Sequence, residues 1–443
     1  MEYIPNFIFA LIFFVGVSVF IRNIRKVILN IKLGKKSDRS DQLLKRARNM
    51  ALLAFGQSKM IRRPIVGILH LIVYLGFIII NIELLEIIID GLLGTHRVLA
   101  PFLGGAYDIL IGTFEYFAFL VIISVFIFWI RRNIIRVKRF WNKEMVGWPK
   151  LDADLILYFE VILMSLFLLM NASDYLIQTN YPLQEEYIKV GFFPISKFLA
   201  FFLNGISLES LVLIERTSWW LHIIGILFFA NYLYYSKHLH IILAFPNTFF
   251  ANLEAKGRFK NIKSITEEVK LMMDPNNDPY NNNSIDQSVP DKFGASDVMD
   301  LEWIQLMNAY TCTECGRCTS VCPANQTGKT LSPRKIMMDT RDRLEEVGKN
   351  IAMNGEFKED GKQLIKHYIM PEEIWACTSC NACVEECPID IDPLSIIMSI
   401  RQYLVMEKSE APADLNNMMS NIENNGAPWP FNKQDRLNWA QEL

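Results

Sequence analysis

Cys312, Cys315, Cys318 and Cys322, with Pro323 behind them, recur 65 positions later as Cys377, Cys380, Cys383 and Cys387, with Pro388 behind them. These are the only eight cysteines in the chain. Each run reads C-x2-C-x2-C-x3-C-P. Three thiolates two residues apart let a short loop wrap one face of a 4Fe–4S cube, while the fourth cysteine of the run has moved away to reach a second cube. The ligand sets should therefore cross: Cys312, Cys315, Cys318 and Cys387 on one cluster, Cys377, Cys380, Cys383 and Cys322 on the other. Structural zinc is the first alternative, but it usually takes two separated C-x2-C pairs. Disulfides are the second, and they fit poorly on the reducing side of a membrane.

A membrane is indicated by composition. Over 443 residues the chain is 51% hydrophobic, with a mean hydropathy of +0.19, high for a wholly water-soluble protein. Apolar runs near 4–21, 64–90, 108–130, 153–174 and 211–235 are each long enough to cross a ~30 Å hydrocarbon core. The first is followed by Arg22, Arg25 and Lys26 and has no basic residue before it, the reverse of a cleaved signal peptide, so it should stay as an anchor. Residues 22–63 hold thirteen basic residues against two acidic ones, and 131–150 hold seven against one. The positive-inside bias puts these connections in the cytoplasm, the N-terminus outside and the cysteine-bearing half inside. A net charge of −2 argues against a nucleic-acid partner. The stretch 178–210, with Pro182, Gly191, Pro194 and apolar patches at Phe198, Phe201 and Phe202, reads as an outer loop with a surface helix and not as a sixth span.

Four of the six histidines fall in or beside spans: His70, His222, His238 and His240. An ionisable side chain in hydrocarbon is costly unless it is used or paired. On a continuous helix, the 18 residues from His222 to His240 make five turns, so both face one way about 27 Å apart. His238, at 200° from His240, falls on the opposite face and reads as interfacial. His70 and His240 sit at matching depth near the inner ends of the second and fifth spans, as the two axial ligands of a b-type haem must.

Carboxylates also occur at membrane depth. Glu83, Glu86 and Asp90 share a face of the second span at i, i+3 and i+7, and Asp174 ends the fourth. Intramembrane carboxylates are typical proton relays where electrons and protons move together; capping or cross-bundle bonding is the alternative, for these and for Glu115 and Glu160.

Four regions follow: residues 1–250 in the membrane, 251–295 an amphipathic helix and linker, 296–410 the two-cluster domain, and 411–443 a tail. The linker segment 273–292 is rich in Asn, Asp and Pro. Within the third region Ser332 reads as an N-cap and Pro333 as the first helical residue. No alternating strand pattern of useful length is visible, so the fold class is all-α: a five-span bundle followed by a helical ferredoxin domain.

The segments RRPIVGILH and LHIIGILFFANYLYYSKHLH resemble the cytochrome b membrane subunit of respiratory nitrate reductase and the membrane subunit of membrane-bound heterodisulfide reductase. CTECGRCTSVCPANQTGKTLSPRKI and EIWACTSCNACVEECPIDIDPLSII are similar to the iron–sulfur domains of heterodisulfide reductases and of glycolate oxidase iron–sulfur subunits. The resemblance implies that His70 and His240 hold one haem b. It matches His222 to a ligand of a second haem, whose other histidine is replaced here by Ile80. His96, in the following connection, is the substitute partner; otherwise His222 contacts a quinone. The implied role is an integral electron-transfer subunit of the bacterial cytoplasmic (inner) membrane, linking the quinone pool through haem b and two 4Fe–4S clusters to a separate cytoplasmic partner. That partner is a flavoprotein or an iron–sulfur subunit of the cysteine-rich CCG type, relatives often carrying CCG modules that this chain ends without. Trp429, Phe431 and Trp439 in the tail suit a docking segment. A direct thiol/disulfide oxidoreductase is disfavoured because every cysteine is already a cluster ligand, and a membrane redox sensor is the alternative from another class. No G-x-G-x-x-G fingerprint occurs.

Overall fold

The computed structural model describes residues 3–184, 187, 189–259, 261–274 and 292–441. Five apolar helices, Ile4–Ile31, Pro64–Leu93, Gly105–Asn133, Trp148–Asn180 and Leu208–Tyr235, are 28 to 33 residues long and sufficient to cross a bilayer. They outrun the apolar segments because their ends continue as helix into polar sequence. The second begins at Pro64 and the fourth carries Pro149 in its first turn, where a missing N–H costs nothing. The second ends on Gly94, which takes the left-handed conformation of a C-cap. The fourth helix packs against the third and fifth, and the first against the second and fifth. Tyr107, Ile111, Phe114, Phe167, Trp219 and Ile223 form the central core. Phe7, Leu11 and Phe14 on the first helix face outward, as lipid contact requires. Among the described residues, the connection between the fourth and fifth of these helices carries the short helix Ser196–Leu203, with Phe198, Phe201 and Phe202 exposed.

The end of the fifth span departs from the sequence reading. Regular helix stops at Tyr232; a 3-10 turn follows, Ser236 is extended (φ −114°, ψ 148°), a second 3-10 turn covers Lys237–Leu239, and a new helix runs His240–Phe249. The break is held by Asp152 at the foot of the fourth span, which accepts from the Tyr232 hydroxyl (2.5 Å) and the Lys237 amide (3.1 Å). His222 and His240 therefore do not lie on one straight helix. Nor is His238 opposite His240: the tighter turn stacks the two rings 5.3 Å apart.

The C-terminal half is helical too, and no strand occurs among the described residues. The amphipathic helix is Lys263–Met273, and the expected linker falls largely on 275–291, outside the described residues. Ser332 accepts from the Lys335 amide and Pro333 opens the helix Pro333–Asn354, as expected. The boundary at residue 250 is not a structural division. Val27 and Ile31 of the first span and Leu239 of the fifth-span exit belong to the same core as Leu306, Ile336, Leu344, Ile397 and Leu404. Backbone bonds join Lys35 to Leu301 (2.7 Å) and Trp303 to Lys35 (3.1 Å) across this seam. A Cβ on Gly34 would lie 2.7 Å from the Trp303 nitrogen, so glycine permits the approach.

Arg343, fully buried, is clasped by Asp297 and Asp360. Replacing it with leucine leaves two carboxylates facing a lost cation, an expected cost of about 3–5 kcal/mol. Arg343→Leu should lower the melting midpoint of the detergent-solubilised protein; an unchanged midpoint contradicts that role.

Candidate electron-transfer site

Two cysteine loops repeat each other in backbone as well as sequence. Glu314 (φ 54°) and Gly316 (φ 69°) flank Cys315, and Ser379 (φ 56°) and Asn381 (φ 62°) flank Cys380. Left-handed residues on either side of the middle cysteine curl each loop into a cup whose amides turn inward, the kind of nest that holds anionic iron–sulfur sites. The Ser379 amide already donates to the Cys377 sulfur (3.4 Å), and the Ile391 amide to that of Cys387 (3.3 Å).

The fold sorts the eight thiols into two groups. Cys312, Cys315, Cys318 and Cys387 line one space; Cys322, Cys377 and Cys380 line another; Cys383 borders both. Burial pushes the Cys312 and Cys387 thiols up to about 12 and the Cys318 thiol up as well, whereas Cys380 is exposed. Bare thiolates would be unstable in such places, and iron supplies the compensating charge. Among the described residues no three His, Cys, Asp or Glu side chains converge as a single-ion site requires. At least four cysteines bordering each of two spaces suit the two multi-iron cubes that the paired motifs imply.

The first space opens into a cavity of about 750 Å³ that runs back between the spans to His70, His222, His238 and His240. His70 has a buried Nδ1 with no partner, while Nδ1 of His240 bonds the Lys237 carbonyl at 3.1 Å. A carbonyl only accepts, so His240 keeps its proton on Nδ1 and presents Nε2, the arrangement of an axial ligand with a supporting second contact. The volume is within the roughly 300–1,000 Å³ of cofactor sites. These residues fit a bis-histidine haem. Burial, followed by His240, His70 and Lys237, holds His238 well below the usual imidazole range, which places three imidazoles together. Glu160 also lines the cavity, 3.9 Å from His238. Arg131, Arg132, Arg139 and Lys237 ring its inner end.

The other sequence candidates separate. His96 does not line the cavity; its ring lies 5.0 Å from that of Tyr187. Asp90 accepts from Thr95 and from the Arg97 and Val98 amides, and Asp174 is paired with the Arg97 guanidinium at 2.6 Å. Glu86 accepts from the Leu99 amide and the Tyr107 hydroxyl. Glu115 caps the surface helix through the amides of Ile195 and Ser196. Glu83 lines the cavity and keeps one buried oxygen with no partner.

Sequence reasoning missed the residues that join the halves. Glu314, between two cysteines of the first loop, is 3% exposed and pairs with Lys237 (2.5 Å) and Arg341 (2.9 Å). Arg334, fully buried, pairs with Glu144 (2.7 Å) and donates to the Arg139 carbonyl (2.6 Å). Lys59 pairs with Asp390, Arg62 with Glu385 and Arg63 with Glu386. Basic residues read as a topology signal thus also seat the cluster domain.

Residues 311–391 match the 4Fe-4S dicluster domain family. The chain is 29% identical to a probable iron-sulfur-binding oxidoreductase, FadF, of Bacillus subtilis, over 98% of this chain and 60% of that protein. It is 25% identical to the EtfAB:quinone oxidoreductase of Syntrophomonas wolfei, over 97% of this chain and 59% of that one. A probable membrane-anchored ferredoxin of Chromohalobacter salexigens is 32% identical over 34% of this chain and 24% of its own length. The chain thus spans about 60% of the length of the first two relatives. No solved structure matches. The chain thus carries a 4Fe-4S dicluster domain over residues 311–391 and five helices long and apolar enough to cross a membrane.

With iron stripped, raised pKa values leave the buried thiols protonated and unreactive at pH 8, because the thiolate is the nucleophile. Timed alkylation read by mass spectrometry should label Cys380 first and Cys312, Cys318 and Cys387 last. Equal labelling of all eight contradicts the burial described.

Proposed function

We propose that the chain carries electrons between quinone in the bilayer and a redox partner on the cytoplasmic side, through one haem b and two 4Fe–4S clusters. The single observation that carries this reading is the shared cavity, with His70 and His240 in its membrane part and Cys312, Cys315, Cys318 and Cys387 in its cytoplasmic part. His70 and His240 would hold the iron of a haem b, which supplies one-electron redox chemistry beside the lipid phase. The crossed ligand sets are supported by the grouping of Cys387 with the first motif and Cys322 with the second. The cluster of Cys312, Cys315, Cys318 and Cys387 is then the one nearer the membrane. The cluster of Cys377, Cys380, Cys383 and Cys322, with Cys380 exposed, is the one that meets the partner.

The partner is a flavoprotein or a CCG-type iron–sulfur subunit. A relative named for oxidoreduction between EtfAB and quinone favours electron entry from the cytoplasm and exit to quinone. The exposed Trp429, Phe431 and Trp439 of the tail serve as its docking segment. The cytoplasmic placement rests on the basic connections 22–63 and 131–150, and the bacterial inner membrane on the bacterial relatives. One haem is assigned, because His96 lies apart from the cavity that His222 lines.

Difference spectra and iron analysis of the purified protein test the assignment. A reduced α-band should vanish in His70→Ala and in His240→Ala, with about eight non-haem iron atoms per chain. A band surviving both substitutions, or iron near zero, defeats the reading. The crossing has its own test: Cys322→Ala combined with Cys380→Ala removes two ligands of one cluster, so about four iron atoms should remain. Uncrossed sets would instead damage both clusters.

A further inference from the structure

Most outer-half carboxylates of the bundle are fully engaged, but Glu83 is not. Its side chain is 4% exposed, it borders the cavity, and Oε2 is the one carboxylate oxygen among the described residues that is buried without a partner. An unsatisfied buried oxygen is costly unless a ligand or proton completes it.

The surroundings point to what completes it. The outer part of the cavity is walled by apolar side chains such as Ile80, Leu84, Val121 and Met164. His222 is the other functional polar group there; the Asn81 amide is tied to the Phe77 carbonyl. Nδ1 of His222 bonds the Leu163 carbonyl at 3.0 Å, so that nitrogen carries the proton and Nε2 is an acceptor. The site thus offers a carboxyl able to give a proton and an imidazole able to accept a hydrogen bond, in a largely apolar cavity. A quinone carbonyl oxygen accepts from the protonated carboxyl, and the hydroxyl of the quinol form donates to Nε2 of His222.

We propose that Glu83 is the proton-donating residue for a quinone seated in the outer half of the cavity between Glu83 and His222. This rests on the quinone reading above and adds the site and the proton source. In the step, the quinone takes two electrons, drawn from the reduced cytoplasmic partner through the clusters and haem, together with two protons. A protonated Glu83 gives one to the carbonyl oxygen it faces and becomes carboxylate, and a second proton taken up from solvent goes to the other oxygen, leaving a quinol. Glu86, one turn on and on the same face, is the neighbouring carboxylate and is itself engaged, accepting from the Tyr107 hydroxyl (2.8 Å). The charged groups facing Glu83 are Glu86 and Asp90 on its own helix, Arg97 from the connection and Glu115 from the third span.

The test uses the full-length holoprotein in detergent, reduced with dithionite and mixed with menadione, following reoxidation of the haem and clusters. Glu83→Gln keeps shape and hydrogen bonding but cannot give up a carboxyl proton. It should slow reoxidation about 100-fold, the usual scale for a lost general acid, and flatten the pH profile. Its haem spectrum, and its binding of a hydroxyquinoline N-oxide quinol analogue measured by fluorescence quenching, should be unchanged. Glu83→Asp should restore part of the rate. Reoxidation of Glu83→Gln at the wild-type rate and pH dependence overturns the role of Glu83 while leaving the quinone reading intact. Wild-type protein that neither binds the analogue nor is reoxidised by menadione overturns both.

Discussion

A buried carboxylate shared by two cations fixes one half of this molecule against the other. Glu314 belongs to the cluster loop, Lys237 to the exit of the fifth span and Arg341 to the long helix Pro333–Asn354. Each charge would be expensive to bury alone, and each is tolerable only while the others stay in place. Lys237 is also the residue whose carbonyl holds His240. The group that orients a membrane imidazole is therefore one ion pair away from the loop between Cys312 and Cys315. Displacing the cluster domain would part Lys237 from Glu314 and leave a buried carboxylate with one of its two cations, so the two halves are held in register at this seam.

The interruption of the fifth span has the same logic. A straight helix would carry His238 and His240 to opposite faces and leave Lys237 pointing elsewhere. Breaking it at Ser236 frees backbone amides at the membrane surface, which is acceptable only if they are satisfied. Asp152 and the Ser236 hydroxyl provide the acceptors, bonding Lys237 and His238. The result is a cluster of imidazoles around one cavity in place of a stripe along a helix.

These details show which features a linear pattern can and cannot carry. The cysteine motifs, the spans, the all-helical class and the Ser332–Pro333 helix start were legible because each is written in local spacing or composition. The break at Ser236 was not, because neither Gly nor Pro marks it and its cause, Asp152, lies 85 residues away in sequence. The boundary at 250 misled for the same reason: Val27 and Ile31 look like ordinary span residues until the cluster domain packs on them. Asp90 and Asp174 resembled relay groups by depth alone. Arg97, in a connection that sequence reading did not weigh for charge, converts Asp174 into an ion-pair partner and bonds Asp90 through its amide.

The two ends of the cavity are electrostatically unlike, and this bears on how charge is managed. At the inner end Arg131, Arg132, Arg139 and Lys237 lie near cysteines that carry anionic clusters. Fixed cations in a low-dielectric seam favour an added electron there without any proton movement. Toward the other end the fixed cation Arg97 is bonded to Asp174, Tyr107 and Asn171. Glu83, whose Oε2 is buried without a hydrogen-bond partner, stands at that end. The pairing of the same few arginines and carboxylates thus gives the cavity two ends of unlike charge.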